Sequence, residues 1–217
     1  MSSQAEKLSL FPNLEKGSLE ADPFYYEALA KRAGYHNIAG IDEAGRGPLA
    51  GPVVAAAVVL FDGTDMEGIR DSKAMTEKAR DLAFSKIVGT DVAVGVGVVS
   101  HRDIDETNIL QATLQAMKRA VESLPVRADF LLVDGIHPVP LDIPQRCIKK
   151  GDRLCRSISA ASVIAKVYRD RIMYSYHQMY PEYGFDRNKG YGTKDHLKAI
   201  KKFGPSPMHR LTFRGVR

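Results

Sequence analysis

The chain has 217 residues, two cysteines and a formal net charge of +5 at pH 7. This length suits one main domain with a buried core, and the spacing of Cys147 and Cys155 excludes a disulfide framework or a closely spaced cysteine zinc site. The longest apolar run, residues 53–61, is too short to span a membrane, and residues 1–17 lack the order of a secretory signal. We therefore expect a cytoplasmic protein whose basic charge suits a polyanionic partner without identifying one.

The first half of the chain predicts a leader helix and three strands. Asp22 followed by Pro23 is typical of a helix start, and this helix would end at Gly34. A further helix is predicted between the second and third strands, over residues 76–88. Apolar runs and alternating glycines predict the strands, which would pair as consecutive hairpin partners: residues 38–41, 53–61 and 92–99.

The second half predicts alternating helices and strands. The clearest helix covers residues 108–124, where Leu110, Leu114, Met117 and Val121 recur at three- and four-residue spacing. It is followed by predicted strands at 130–133 and 145–148 and by helices at 157–179 and 194–202. This order predicts an α/β fold. We expect an N-terminal extension over residues 1–35, a main domain over 36–180 and a C-terminal subdomain over 181–217.

Four acidic residues stand at the edges of these elements: Asp42, Glu43, Asp134 and Asp152. Asp42 and Asp134 each end an apolar strand, and ligands of α/β proteins bind at strand ends. Neighbouring strand residues point to opposite faces, so Asp42 and Glu43 share a site only where the strand ends or bends, which Gly45 allows. Clustered carboxylates suit Mg²⁺ or Mn²⁺. The pattern therefore indicates metal-assisted phosphoryl transfer.

Four motifs carry a family resemblance: IAGIDEAGRGP at residues 38–48, DSK at 71–73, VDG at 133–135 and SAASVIAKV at 159–167. In their order and approximate spacing they resemble bacterial ribonuclease HII over roughly residues 38–213. The first motif is the most specific. Ala74 and Met75 depart from the family's more usual Lys-Leu pair.

The resemblance implies a ribonuclease H-like fold, with a five-stranded mixed sheet flanked by helices and a small helical C-terminal subdomain. It implies an endonuclease that hydrolyses the RNA strand of RNA–DNA hybrids and nicks duplex DNA on the 5′ side of an embedded ribonucleotide. The ends would be 3′-hydroxyl and 5′-phosphate, and the roles ribonucleotide removal and RNA primer processing. The four acids would bind two Mn²⁺ or Mg²⁺ ions. Asp152 is preferred over Asp170 and Asp186 because it lies seven residues before Ser159.

The resemblance also assigns contacts with the nucleic acid. Gly45, Arg46 and Gly47 would meet the 2′-hydroxyl and the adjoining phosphate, and Tyr191 would pack on or hydrogen-bond to the sugar. A second group would contact phosphates or support the acids: Ser72, Lys73, Asn108, Ser157, Ser159, Lys166 and Arg169. For Lys166 and Arg169, a solvated face of the long helix is an equally good interpretation. The family's basic C-terminal signature would begin at His209 and Arg210, although Leu211 replaces a residue that is commonly basic.

No catalytic histidine is predicted, because the remaining histidines show no ligand spacing and are expected at the surface or in caps: His36, His101, His137, His177 and His196. Two other functions compete with the ribonuclease. One is a non-catalytic RNA–DNA hybrid-binding protein of the same fold, and the other is an actin-like phosphotransferase, which needs a second domain for which this chain lacks room. We also expect a monomer, because no exposed apolar heptad remains after the core helices are assigned.

Overall fold

The computed structural model describes residues 22–61, 63–64, 66 and 75–216. The strands are β1 (Ile38–Ala44), β2 (Val53–Leu60), β3 (Val92–Val99), β4 (Phe130–Asp134) and β5 (Gln145–Ile148). The helices are α1 (Tyr25–Arg32), α2 (Glu77–Val88), α3 (His101–Glu106), α4 (Ile109–Glu122), α5 (Gly151–Leu154), α6 (Arg156–Met179), α7 (Phe185–Asn188) and α8 (Lys194–Phe203), with a 3₁₀ turn at Pro181–Tyr183.

The strands form one mixed sheet in the order β3-β2-β1-β4-β5. β1 pairs antiparallel with β2, and β2 pairs antiparallel with β3. On its other side β1 runs parallel to β4, which runs parallel to β5. The register pairs Ile41 with Val133, so the next residues, Asp42 and Asp134, lie side by side on neighbouring parallel strands. The predicted α/β fold with a five-stranded mixed sheet is confirmed.

Alternation along β1 sends its side chains to two different helices. Ala39 and Ile41 join the core cluster that includes α4. Gly40 faces α6, where an added Cβ atom would overlap the backbone of Ser157 and Ile158. The absence of a side chain at Gly40 therefore lets α6 pack directly against the central strand, close to the strand end that bears the acids.

The predicted elements differ from the observed ones in several places, and the short helix α7 and the 3₁₀ turn are among the elements that were not predicted. β1 continues to Ala44, so Asp42 and Glu43 lie within the strand and not beyond its end. Helix α3 was not predicted; it begins with a capping box in which Ser100 and Asp103 each bond to the other's backbone N–H. The long helix is preceded by the separate short helix α5, because Cys155 has an extended conformation between them.

The C-terminal segment packs on the loop that follows β1. Its buried residues Tyr183, Phe185 and Ile200 share a cluster with Leu49 and Ala50 of that loop. The C-terminal segment therefore packs close to the ends of β1 and β4, where the acids lie.

Two simpler expectations concern the thiols and the membrane. Both cysteines are free: Cys155 is buried and Cys147 is partly buried. In the part of the chain that the structure describes, no helix combines the length and the apolar character that a bilayer crossing requires.

Candidate active site

Three of the predicted acids line one pocket at the end of the sheet. This pocket has a volume of about 230 Å³ and contains Asp42, Glu43 and Asp134. Its remaining lining residues are Ala44, Gly45, Arg46, Gly47, Ser162, Lys166 and Tyr191. The side-by-side ends of β1 and β4 therefore bring together the acids, the glycine loop and the predicted sugar contact.

Asp42 is the most deeply placed of these acids, with 2% of its surface exposed. Its Oδ1 accepts a hydrogen bond of 2.7 Å from the Glu43 N–H, and the Ser162 hydroxyl also donates to this carboxylate. Its Oδ2 is buried and has no hydrogen-bond partner among the described residues. Burial raises the pKa of Asp42 well above its usual range, and repulsion by Glu43 and Asp134 raises it further.

The other acids have partners on neighbouring elements. Glu43 Oε1 lies 3.3 Å from an Arg46 guanidinium nitrogen. Asp134 Oδ1 accepts a 2.7 Å hydrogen bond from the Gly151 N–H, which ties the start of α5 to the end of β4. Asp152 follows Gly151 and is buried, but it does not line the pocket.

The chemistry of this donor set fits a hard divalent cation. Oxygen atoms are the ligands that Mg²⁺ and Mn²⁺ prefer, and the buried Asp42 Oδ2 lacks any described partner that would offset its charge. Among the described residues, no three acid, histidine or cysteine side chains converge as a ready-made metal site.

Gly45 has a backbone conformation and surroundings that exclude a side chain. Its φ is +100°, and an added Cβ atom would overlap the Arg169 guanidinium. Two residues later, a Cβ atom at Gly47 would lie 3.6 Å from the Tyr191 ring. The loop from Gly45 to Gly47 therefore presents bare backbone beside Tyr191, whose side chain is 46% exposed.

Two buried arginines hold this loop through its carbonyl groups. Arg210 donates to the carbonyls of Gly45, Arg46, Gly51 and Pro52. Arg169 donates to the carbonyls of Ala50, Pro52 and Lys189 at 2.9 to 3.1 Å. Both side chains are completely buried. Arg169 thus links Ala50 and Pro52, just after the glycine loop, to the segment that carries Tyr191. The interpretation of Arg169 as part of a solvated face is wrong, because the side chain is buried.

A pair of buried histidines anchors the same segment. His196 Nδ1 lies 2.8 Å from the Tyr191 carbonyl oxygen, and its Nε2 lies 3.0 Å from His209 Nε2. His209 Nδ1 accepts a 2.9 Å hydrogen bond from the Ser206 N–H. The expectation that His196 lies at the surface or in a cap is therefore wrong, since its side chain is in the interior.

The other predicted contacts fall into different surroundings. Lys166 lines the pocket and donates to Asp170 at 2.7 Å. Asn108 is exposed and caps α4 by accepting from the Gln111 N–H. Ser157 is completely buried and donates through its N–H and hydroxyl to Glu27 of α1, so it offers no surface to a substrate. Ser159 is buried on α6. Ser72 and Lys73 lie outside the described residues.

Sequence reasoning did not select Ser162, Arg210 or the histidine pair for roles at this pocket. A signal for Ser162 was available, because it lies one helical turn before Lys166 on the face of α6 that lines the pocket. The carbonyl partners of Arg210 on the glycine loop lie 164 and 165 residues away, so no local pattern shows this contact.

A larger groove, of about 340 Å³, lies beside α1. Glu27 is the one carboxylate among its described lining residues, and most of the others are apolar. This groove is larger than the pocket at the ends of β1 and β4, but that pocket contains the clustered acids and the glycine loop.

Comparison with known proteins shows the family of the chain. The sequence profile of the family described as Ribonuclease HII matches residues 39–216. The chain belongs to the ribonuclease HII family. A ribonuclease HII of Geobacter sulfurreducens is 62% identical over 192 residues, 88% of each chain. That of Geobacter metallireducens is 53% identical over 211 residues, 97% of each chain. The prediction of a ribonuclease H enzyme is confirmed.

Solved structures agree with the fold. The ribonuclease H2 of Pyrococcus horikoshii superposes with a TM-score of 0.68 and 30% identity, over 83% of this chain and 95% of that one. Bst-RNase HIII in complex with Mn²⁺ gives a TM-score of 0.66 over 86% of this chain and 70% of that one. Its 20% identity supports the fold alone. The ribonuclease H-like architecture is therefore confirmed.

Replacing Asp42 by Asn should not destabilise the metal-free protein. The substitution removes a buried carboxylate that repels Glu43 and Asp134, so we expect an unchanged melting temperature or a rise of up to about 4 °C in EDTA. Mn²⁺ should raise the melting temperature of the wild type more than that of D42N. Scanning calorimetry measures both effects, and the exposed Asp142→Asn is the control. A wild-type response to Mn²⁺ that D42N fully retains would contradict metal binding by Asp42.

Arg210→Lys should destabilise the protein. Lysine lacks the planar fork that bonds several carbonyls, so buried acceptors of the glycine loop would lose donors. We expect a loss of roughly 3 kcal/mol in the free energy of unfolding, measured with urea. Arg187→Lys is the matched control, because the Arg187 side chain is 84% exposed. Equal stability of the two variants would contradict the role given to Arg210.

Acid should destabilise the protein in part through His209. Burial, reinforced by repulsion from His196, lowers the pKa of His209 to about 4, whereas a free histidine titrates near about 6.5. Between these values the unfolded chain binds a proton that the folded chain does not, so the free energy of unfolding falls as the pH is lowered. In urea unfolding at several pH values, the free energy of unfolding of His209→Asn should decrease less with falling pH than that of the wild type. The exposed His36→Asn should keep the wild-type slope.

Proposed function

We propose that this ribonuclease HII hydrolyses the RNA strand of RNA–DNA hybrids and nicks duplex DNA on the 5′ side of an embedded ribonucleotide. The products are 3′-hydroxyl and 5′-phosphate ends, which suits ribonucleotide removal and RNA primer processing. The observation that carries the proposal is the pocket itself: Asp42, Glu43 and Asp134 surround the same space as the Gly45–Gly47 backbone and Tyr191. Carboxylates that could bind metal ions thus lie next to backbone and aromatic groups that could bind a ribose.

The acids hold the cofactor in this proposal. Asp42, Glu43 and Asp134 supply oxygen ligands from the pocket, and Asp152 supplies one from the start of α5. Two Mn²⁺ or Mg²⁺ ions bound there would activate the attacking water and stabilise the leaving oxygen. The unpartnered Oδ2 of Asp42 supports this assignment, because a buried carboxylate oxygen without a donor gains most from a cation. Ser162 keeps the Asp42 carboxylate oriented through its hydrogen bond.

The glycine loop and Tyr191 recognise the ribonucleotide. The bare backbone at Gly45 and Gly47 allows N–H groups to approach a 2′-hydroxyl and the neighbouring phosphate. The Tyr191 ring lies against Gly47 and is half exposed, which suits contact with a sugar. A deoxyribonucleotide lacks the 2′-hydroxyl, so this contact distinguishes RNA from DNA.

Positive charge near the pocket favours the binding of a negatively charged phosphodiester. Lys166 lines the pocket, and the Arg46 side chain is 48% exposed at its mouth. The guanidiniums of Arg169 and Arg210 lie behind the loop and bond backbone carbonyls, so both charges remain buried next to the binding surface. Their field attracts the phosphate without direct contact.

A single-ribonucleotide duplex tests the proposal. We expect the wild type with Mn²⁺ or Mg²⁺ to nick an end-labelled duplex immediately 5′ of the ribonucleotide, and to leave an all-DNA duplex intact. EDTA should prevent nicking. Asp42→Asn and Asp134→Asn should each lower the rate by at least about 10³-fold, because each removes a ligand needed in the transition state.

Controls separate catalysis from folding and from binding. Asp142→Asn, an exposed carboxylate outside the pocket, should keep the wild-type rate. Gel-shift binding in EDTA should persist in Asp42→Asn. A folded wild type that binds the duplex but never nicks it would replace the enzyme with the hybrid-binding protein considered above.

A further inference from the structure

The direction of the hydrogen bond between the two buried histidines follows from the backbone contacts at the two ends of the pair. At one end the Ser206 backbone N–H, which can only donate, points at His209 Nδ1. The Ser206 hydroxyl oxygen also lies 2.8 Å from His209 Nδ1. At the other end the Tyr191 carbonyl, which can only accept, faces His196 Nδ1. A neutral histidine carries one N–H, so each end assigns one tautomer.

The two assignments agree at the centre of the pair. His209 accepts at Nδ1 and therefore carries its proton on Nε2. His196 donates from Nδ1 and therefore has a bare Nε2. The contact of 3.0 Å between the two Nε2 atoms is then a hydrogen bond from His209 to His196. The hydrogen bonds therefore form a series in one direction, from the Ser206 N–H through His209 and His196 to the Tyr191 carbonyl.

Burial preserves this arrangement. A proton added to His196 would place two N–H groups face to face between the rings. Burial lowers the pKa of His196, and burial together with His196 lowers that of His209. Packing of Tyr183 and Phe185 against both rings excludes water from the pair.

The same stretch of chain also holds the glycine loop. Arg210, the residue after His209, donates to the carbonyls of Gly45 and Arg46. The Arg210 N–H donates to the Leu49 carbonyl, and the Leu49 N–H donates to the Gly190 carbonyl beside Tyr191. His209 and Arg210 therefore reach the two sides of the proposed ribose-binding surface by separate routes.

We propose that His196 and His209 are positioning residues for ribonucleotide recognition, which set the place of Tyr191 against Gly47 through the hydrogen bond to the Tyr191 carbonyl. The proposal rests on the proposed function of Tyr191 as a sugar contact. The histidines touch no substrate; they act through the backbone of the residue that does. Their effect is therefore on the productive placement of the scissile ribonucleotide, and the binding of duplex phosphates is independent of them.

Two amide substitutions at His196 each keep one of its two hydrogen bonds, the one to the Tyr191 carbonyl or the one to His209. Asparagine carries its amide at the level of Nδ1 and keeps a donor for the Tyr191 carbonyl. Glutamine carries its amide at the level of Nε2, so it can bond to His209 but loses the donor to the Tyr191 carbonyl. We expect His196→Gln to lower kcat on the single-ribonucleotide duplex by roughly tenfold, with His196→Asn within about threefold of the wild type. Duplex affinity in EDTA should change little in either variant.

A double-mutant cycle shows whether the effect passes through Tyr191. Once Tyr191→Ala has removed the ring, its placement no longer matters. We expect His196→Gln to change the kcat of Tyr191→Ala by less than about twofold. The same tenfold loss in both backgrounds, or equal losses in the Gln and Asn variants, would overturn the proposal. Melting temperatures of all variants identify any that merely unfold.

A readout without catalysis keeps the test independent of the proposed function. The chain has no tryptophan, so Tyr191→Trp introduces a single indole at the position in question. Adding His196→Gln should lower the fluorescence anisotropy of this indole, whereas adding His196→Asn should not. Unchanged anisotropy with Gln would overturn the positioning role. A wild type that fails to nick would overturn the proposed function instead, while the anisotropy still decides the role of the histidines.

Discussion

Two buried guanidinium groups determine the conformation of the loop that follows β1. This loop has left the sheet, so its carbonyls need other donors if they are to stay out of water. Arg169 and Arg210 supply those donors from opposite sides, one from the long helix and one from the C-terminal segment. Arginine suits this task because its fork of donors is rigid and remains charged. The placement of bare backbone at Gly45 and of the Tyr191 segment both depend on these bonds.

The same bonds explain how acids and arginines coexist at one end of the sheet. Within the described chain, the hydrogen bonds of both buried guanidiniums go to carbonyl oxygens and not to carboxylates. The positive charges are therefore held close to the pocket without forming ion pairs that would occupy Asp42 or Asp134. The buried Oδ2 of Asp42 remains available for a cation.

The sequence predicted the part of the site that depends on local patterns. One apolar run leads into Asp42, another ends in Asp134 at the last position of β4, and Gly45 marks the turn just after β1, so the acid pocket could be found without coordinates. The supporting groups could not. Charged residues are rarely buried, and Arg210 is buried against a loop 164 residues earlier in the chain. His196 has partners close in the sequence, but no sequence pattern shows that its ring lies in the interior. Ser157 was misjudged for a related reason, because its partner Glu27 lies 130 residues earlier. The short helices α3 and α5 have too few residues to show a periodic pattern.

The glycine loop and its main support are far apart in the order of synthesis. Arg210 and Gly45 are separated by 165 residues, a stretch that a ribosome takes roughly 10–30 s to translate. During that interval the strand end that carries Asp42 and Glu43 has already emerged, while the loop carbonyls that Arg210 will bond still face water. A nascent chain therefore contains Asp42 and Glu43 before it contains the arginine that holds the neighbouring loop. The complete pocket can form only after Arg210 has been synthesised.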